Sequence, residues 1–145
     1  GPMRQEMQIK HPEVIFAGVK TGTELAEYYA SADLFVFPSM TETFGLVTLE
    51  AMASALPVVA YNMAAAATHV RQGIDGFLAE ENDEAGFIQA LGDALAMDLT
   101  LAGIDARAQA EDASWQAVAE RFSGLAEVVI RGKSEYPQVE LQSVV

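Results

Sequence analysis

Leu34-Phe35-Val36-Phe37-Pro38-Ser39-Met40-Thr41-Glu42-Thr43-Phe44-Gly45-Leu46-Val47-Thr48-Leu49-Glu50-Ala51-Met52-Ala53-Ser54-Ala55-Leu56-Pro57-Val58-Val59-Ala60 is the stretch from which the fold is read. Its two ends, Leu34 to Phe37 and Pro57 to Ala60, are apolar runs rich in β-branched and aromatic residues, each too short for a helix. Between them, Phe44 to Ala55 spaces Leu46, Leu49, Glu50 and Met52 as a helix does. Strand, helix and strand at this spacing form a βαβ unit, which implies a parallel sheet covered on both faces. Working outward, Val14-Ile15-Phe16 is expected to be a further buried parallel strand, with helices over Met3 to Lys10 and over Thr23 to Ser31, where Leu25, Tyr28 and Tyr29 share helical spacing. Ala64 to Ala67 opens a short helix. Gly73 and Gly76 signal a turn before a short edge strand at Phe77-Leu78. Three helical patterns follow, over Asp83 to Met97, Leu101 to Glu111 and Trp115 to Ile130, the last capped by Ser114 with Ala117 at its third position. The expected class is α/β: a Rossmann-like parallel sheet with helices on both faces and a helix-rich C-terminal part, occupying residues 1–131. Residues 132–145 read as a flexible tail.

Composition narrows the function. The chain has 145 residues, 21 Asp and Glu against 8 Lys and Arg, two His and no Cys, for a formal charge of −13. One domain is the default at this length, and 51% hydrophobic residues suffice for a core. Without cysteine there are no disulfides, thiolate metal sites or cysteine nucleophiles, and the composition suits the cytosol. Residues 21–70 hold neither Lys nor Arg. A surface that neutralises many phosphates needs cations, so nucleic acid is excluded as a partner, and contact of this segment with an anionic membrane is disfavoured. No window approaches the length of a membrane span, and no signal peptide opens the chain.

Chemistry is expected in the loop and helix after Phe37. In open α/β sheets ligands sit at the carboxyl edge, where a helix N-terminus offers free N–H groups and a positive dipole end to an anion. Gly45 lets a ligand approach the backbone. Glu42 and Glu50 are eight residues apart, which on one continuous helix leaves them roughly 80° out of alignment. They converge on one ligand more easily with Glu42 in the loop and Glu50 on the helix. Carboxylates suit sugar hydroxyls, not phosphates, so backbone amides are left for the phosphate. The bland alternative is that both acids are solvated and complement the helix dipole, with Thr41 or Thr43 an ordinary cap.

The run Pro38-Ser39, Glu42-Thr43-Phe44-Gly45, Leu49-Glu50-Ala51-Met52-Ala53 and Leu56-Pro57-Val58-Val59-Ala60 resembles the Glu-x7-Glu signature of the donor-binding, C-terminal half of family-4-type retaining glycosyltransferases, which have the two-domain GT-B fold. Gly1-Pro2-Met3-Arg4 resembles the end of their Gly-Asp-Gly-Pro-x-Arg turn, Val14 to Gly18 their strand ending in Phe-x-Gly, Ser31-Ala32-Asp33 the lead into their next strand, and Gly73-x-x-Gly76 their later glycine pair. The ordered set covers about residues 1–130. By resemblance, Glu42 is the catalytic-side acid facing the transferred sugar. Thr43, Phe44, Gly45 and Leu46 contact sugar hydroxyls and the diphosphate, Glu50 holds the ribose, and Val19 and Lys20 lie near the nucleobase. The implied reaction moves a hexose of mannose or glucose type from a nucleotide-diphosphate sugar to a lipid or glycan acceptor with retention, using no metal and no further cofactor.

Departures accompany the matches. Ala55 stands where the family usually has a glycine, the expected left-handed end of the helix. Thr68 replaces a frequent Glu, and Ala64-Ala65 a frequent Gly-Gly pair. The family's pyrophosphate-gripping Arg and Lys and its N-terminal acceptor domain have no counterpart here. The expectation is therefore a piece of a longer enzyme, lacking its first strand or strands and inactive alone. The whole enzyme is expected to be cytoplasmic, peripheral to the membrane through the missing half. Gly1-Pro2 is either native or a scar. Alternatives within the same architecture are a non-catalytic nucleotide-binding or signalling module, and a GT-B epimerase or glycogen-synthase-like enzyme. His11 and His69 have no acid at metal-ligand spacing, and Ser39 lacks the context of a hydrolase nucleophile.

Overall fold

The computed structural model describes residues 3–41 and 46–130. The chain divides into two compact units, Gly1–Ala32 and Asp33–Val145.

The first unit contains α1 (Arg4–Lys10) and α2 (Gly22–Ala30). Glu6 in the first turn of α1 and Lys10 in its last complement the helix dipole. At the end of α2 the Ser31 hydroxyl donates to the Glu27 carbonyl at 2.7 Å. The segment expected to be a strand, Val14 to Phe16, is irregular. An apolar run becomes a strand only where a neighbour completes its ladder. None pairs with it among the described residues, so Val14 and Ile15 stay 50% and 87% exposed. The carbonyl of Phe16 is instead taken by the guanidinium of Arg4 at 2.8 Å.

The second unit is built on a parallel sheet of β1 (Phe35–Phe37), β2 (Val58–Tyr61) and β3 (Gly76–Ala79), in that spatial order. Phe35 is in register with Val58, and Val58 with Gly76. Every residue of the central strand is buried, as a parallel strand covered on both faces requires. Val59 and Tyr61, two apart and so on one face, pack with Ala79 against Phe87, Ala90 and Ala94 of α5 (Glu84–Ala96), with the Tyr61 and Phe87 rings 4.8 Å apart.

α3 (Leu46–Ala53) joins β1 to β2 and α4 (Ala64–His69) joins β2 to β3. α3 buries Thr48, Ala51 and Met52, one stripe at helical spacing, and packs on α6 (Leu99–Asp112), which buries Ala102, Gly103, Ala106 and Ala110. Small residues let these two helices approach closely. A β-carbon on Gly103 would stand 2.2 Å from the Ala55 carbonyl oxygen.

α3 ends at Ala53, two residues before the expected Ala55, with the left-handed closure that the resemblance implies. The Leu56 N–H donates to the Ala51 carbonyl at 3.1 Å and the Ala55 N–H to the Met52 carbonyl at 2.9 Å, with Ala55 left-handed at φ 60°. α6 starts two residues before the expected Leu101, because the Asp98 carboxylate accepts from the Thr100 and Leu101 N–H groups. Asp83 caps α5 through Gly86 N–H at 2.9 Å, and Ser114 accepts from Ala117 N–H at 3.3 Å to start α7 (Trp115–Ile130). Among the described residues no single helix is long and apolar enough to cross a membrane. The expected tail over residues 132–145 lies outside the described residues.

Candidate functional site

β1 delivers the chain to the carboxyl edge of the sheet at Phe37, and the loop that follows is ordered by its own hydroxyls. Ser39 Oγ accepts from the Thr41 N–H at 3.3 Å and donates to the Thr41 carbonyl at 3.0 Å, a local turn typical of serine. Glu42, Thr43, Phe44 and Gly45, four of the residues expected to contact sugar and diphosphate, lie outside the described residues. α3 begins next, at an exposed Leu46.

Glu50 sits one turn into α3. Its neighbours Ala51 and Met52 are wholly buried, which locks the helix rotation and leaves Glu50 on the exposed side. Its carboxylate makes no hydrogen bond or ion pair among the described residues, while its backbone carbonyl accepts from Ser54 Oγ at 2.9 Å. A carboxylate without a protein partner, held on a rigid helix, is available to accept from the hydroxyls of a ligand. Two residues earlier Thr48 is fully buried, and its hydroxyl has no partner among the described residues. The usual acceptor for a helical threonine is the carbonyl four residues back, here that of Phe44, outside the described residues.

α4 begins beside this edge after Tyr61, with Met63 extended and Ala64 left-handed at φ 47°. Ala64 occupies the first position of the expected Gly-Gly pair, and its backbone conformation is one that glycine adopts freely. At the other end of α4, burial lowers the pKa of His69 below the ordinary imidazole value. Among the described residues no three His, Asp or Glu side chains gather as metal ligands.

Val19 and Lys20 belong to the first unit. Val19 is 92% exposed. The Lys20 ammonium is paired with the Glu24 carboxylate and lies 5.1 Å from the centroid of the Tyr28 ring. The Glu24 hydrogen bond raises the lysine pKa above its usual value, with the charge of Glu24 adding to it against some desolvation.

Sequence reasoning missed one ionic element. Asp75 is 0% exposed, and both its oxygens are held by Arg71, Oδ1 by the backbone N–H and Oδ2 by Nε, each at 2.6 Å. Arg71 also reaches the Asp105 carbonyl of α6 at 3.2 Å. The pair lies just before β3, at the amino edge of the sheet, and so braces the scaffold away from the ligand edge. The four-residue spacing inside the Gly73 turn is its only sequence signal. Gly76, beside it, has the Val58 carbonyl 2.1 Å from where a β-carbon would sit, so only glycine fits.

Residues 1–97 match the family model described as "Glycosyl transferases group 1". Over 93 residues the chain is 45% identical to a D-inositol 3-phosphate glycosyltransferase of Geodermatophilus obscurus, covering 63% of this chain and 20% of that protein. It is 48% identical over 62 residues to the sulfoquinovosyl transferase SQD2 of Arabidopsis thaliana, covering 41% of this chain and 12% of that protein. The chain thus spans a fifth or less of the length of these two curated relatives. Among solved structures, a sucrose-phosphate synthase from Thermosynechococcus elongatus superposes over 91% of this chain and 35% of its own, with a TM-score of 0.70 at 28% identity. The pneumococcal O-GlcNAc transferase GtfA, solved with UDP and GlcNAc, superposes over 89% of this chain and 27% of its own, with a TM-score of 0.68 at 20% identity, a likeness of fold alone. The ordered motifs, the parallel sheet with its helices and the match over residues 1–97 together establish that the chain belongs to the group 1 (family-4-type) glycosyl transferases, as a C-terminal domain of their GT-B fold.

Proposed function

We propose that this chain is the donor-binding part of a retaining hexosyltransferase. It would hold a nucleotide-diphosphate sugar at the carboxyl edge of the β1–β2–β3 sheet for transfer of a mannose- or glucose-type hexose to a lipid or glycan acceptor. The observation that carries this is Glu50, a carboxylate with no partner among the described residues, on a helix that buries Thr48, Ala51 and Met52, at the edge where such sheets take ligands. Glu50 accepts from the two ribose hydroxyls, Glu42 faces the transferred sugar, and Thr43 to Leu46 lead the N–H groups of the helix toward the diphosphate. Those amides and the helix dipole stabilise the departing nucleoside diphosphate as its bond to the anomeric carbon breaks. Relatives whose names specify glycosyl and sulfoquinovosyl transfer support a sugar donor.

The absence of Lys and Arg from residues 21–70 sets a limit on this arrangement. Backbone dipoles alone offset part of the charge of a diphosphate, so the remaining counter-charge comes from the rest of the enzyme. The isolated chain binds donor weakly and transfers nothing. A charged hydrogen bond to a hydroxyl is worth roughly 1.5–3 kcal/mol, so Glu50→Ala in the full-length enzyme raises the donor KM about tenfold or more. An unchanged donor KM would remove the ribose assignment.

A further inference from the structure

A groove of about 930 Å³ opens in the second unit between α7 and the helices α3 and α4. Leu49 of α3 and His69 of α4 line it, together with Val118, Phe122, Leu125 and Val128, a stripe at helical spacing along α7. Phe122 is 72% exposed and Val118 44%, so this stripe is uncovered among the described residues. Arg121 is the one permanently charged group in the groove. Its Nη2 donates to the Asp112 carbonyl and its Nε to the Ala117 carbonyl at 3.2 Å, which fixes the guanidinium across the junction of α6 and α7. Its charge makes no ion pair among the described residues.

The groove reaches the last turn of α7 at Val128, and the chain continues past Ile130 into residues 131–145, which lie outside the described residues. Their sequence suits the groove. Gly132 permits a reversal, and the residue before Pro137 is confined to extended backbone. From there Pro137, Val139 and Leu141 alternate with Gln138, Glu140 and Gln142, the period of an extended segment with one apolar face. From Val118 to Val128 the groove runs about 15 Å at the helical rise, and Pro137 to Gln142 spans about 20 Å when extended. Laid antiparallel to α7 with Pro137 at Val128, the segment brings Glu140 about 10 Å along, and Arg121 is also about 10 Å from Val128. We propose that residues 137–142 of this chain dock in the groove, apolar face down, with the Glu140 carboxylate beside Arg121. The docked segment covers Leu49 and ties α7 to the helix that carries Glu50.

The chain has no cysteine, so Ser143→Cys gives a single attachment point for a nitroxide. Methyl spectra of the full chain carrying it read which side chains the segment approaches. Docking predicts that the methyl signals of Leu49, Val118 and Leu125 lose most of their intensity. Adding Val139→Asp/Leu141→Asp is expected to restore them, because carboxylates in an apolar groove cost more than the contact gains. Glu140→Lys, which sets a second cation beside Arg121, is expected to restore part of the intensity. A segment that is only tethered to α7 broadens the same signals equally with and without the aspartates, and that result overturns the proposal. Undiminished signals of Leu49 and Val118 in the chain without the aspartates overturn it too, and leave the groove to a different ligand. A mixture of nitroxide-bearing chain at natural isotope abundance with isotope-labelled chain lacking the nitroxide tests for a second copy. Broadening in that mixture as strong as within one chain overturns docking by the chain's own segment. If the double aspartate variant does not fold, by circular dichroism, Glu140→Lys decides by the same reading.

Discussion

Replacing Gly103 by alanine sets two well-calibrated effects against each other. Gly103 is in the interior of α6, where glycine to alanine ordinarily stabilises by about 1 kcal/mol through helix propensity. Here the new β-carbon would stand 2.2 Å from the Ala55 carbonyl oxygen, about 1 Å inside any tolerable contact. The obstacle is backbone, fixed by the hydrogen bonds that close α3, so α3 and α6 must part. Their buried Ala51, Met52, Ala102 and Ala106 then lose contact too. Overpacking a tight core costs about 1–3 kcal/mol, and relieving a backbone clash falls at the upper end, so the net loss is about 1–2 kcal/mol. For a chain of this size that lowers the thermal midpoint by about 3–6 °C. Gly92→Ala is the control, since Gly92 is also inside a helix, α5, and its β-carbon would meet nothing within 4 Å. It should gain about 0.5–1 kcal/mol. Thermal and urea unfolding of both variants, followed by circular dichroism, decides the question. A gain for Gly103→Ala equal to that of Gly92→Ala would refute the close approach of α3 and α6. Because α3 carries Glu50, the destabilised variant should also bind donor less well in the full-length enzyme.

Other consequences can be measured on the same footing. Ala55→Gly removes a left-handed alanine costing about 1–2 kcal/mol but adds freedom to the unfolded chain, so a net gain of about 0.5 kcal/mol is expected, read as a rise in the urea midpoint. Arg71→Ala strands a buried carboxylate and should cost about 3 kcal/mol, whereas the Arg71→Ala/Asp75→Ala double variant should cost less than the sum of the two singles in a double-mutant cycle. His69 has its folded pKa lowered by burial, so the folded state binds the proton less well than the unfolded one. Its contribution to stability is full above about pH 6.5 and is lost as pH falls below that value toward and through the lowered folded pKa. His69→Leu should therefore flatten this part of the stability profile between pH 7 and 5, measured by urea unfolding at a series of pH values.

Much of the architecture is legible residue by residue. Leu34 to Phe37 and Pro57 to Ala60 declare themselves as strands because short β-branched runs between turn residues have few other uses. Asp83 and Ser114 mark helix starts because a side-chain oxygen satisfies an otherwise orphaned N–H. The left-handed Ala55 was legible through the resemblance, because it stands where the family usually has a glycine. Asp98 carries the same capping chemistry, yet the start of α6 is misplaced when apolar spacing is followed in preference to the cap. The candidate site is legible in the type and spacing of its residues, since Glu50 faces outward once Thr48, Ala51 and Met52 are assigned to the core.

Tertiary structure decided what depends on neighbours. Val14 to Phe16 has the composition of a strand, but a strand is a pairing and not a property of one segment, so with no ladder partner among the described residues it is an irregular segment held by Arg4. Asp75 reads as one more solvated acid among 21 acidic residues until folding buries it against Arg71. The sequence alone determined the helices, two of the three strands and the presence of the third, because these follow from local periodicity and capping. Which charges are buried, which glycine cannot be replaced and which guanidinium faces a cleft were settled only by packing, where distances between residues remote in the chain set the energy.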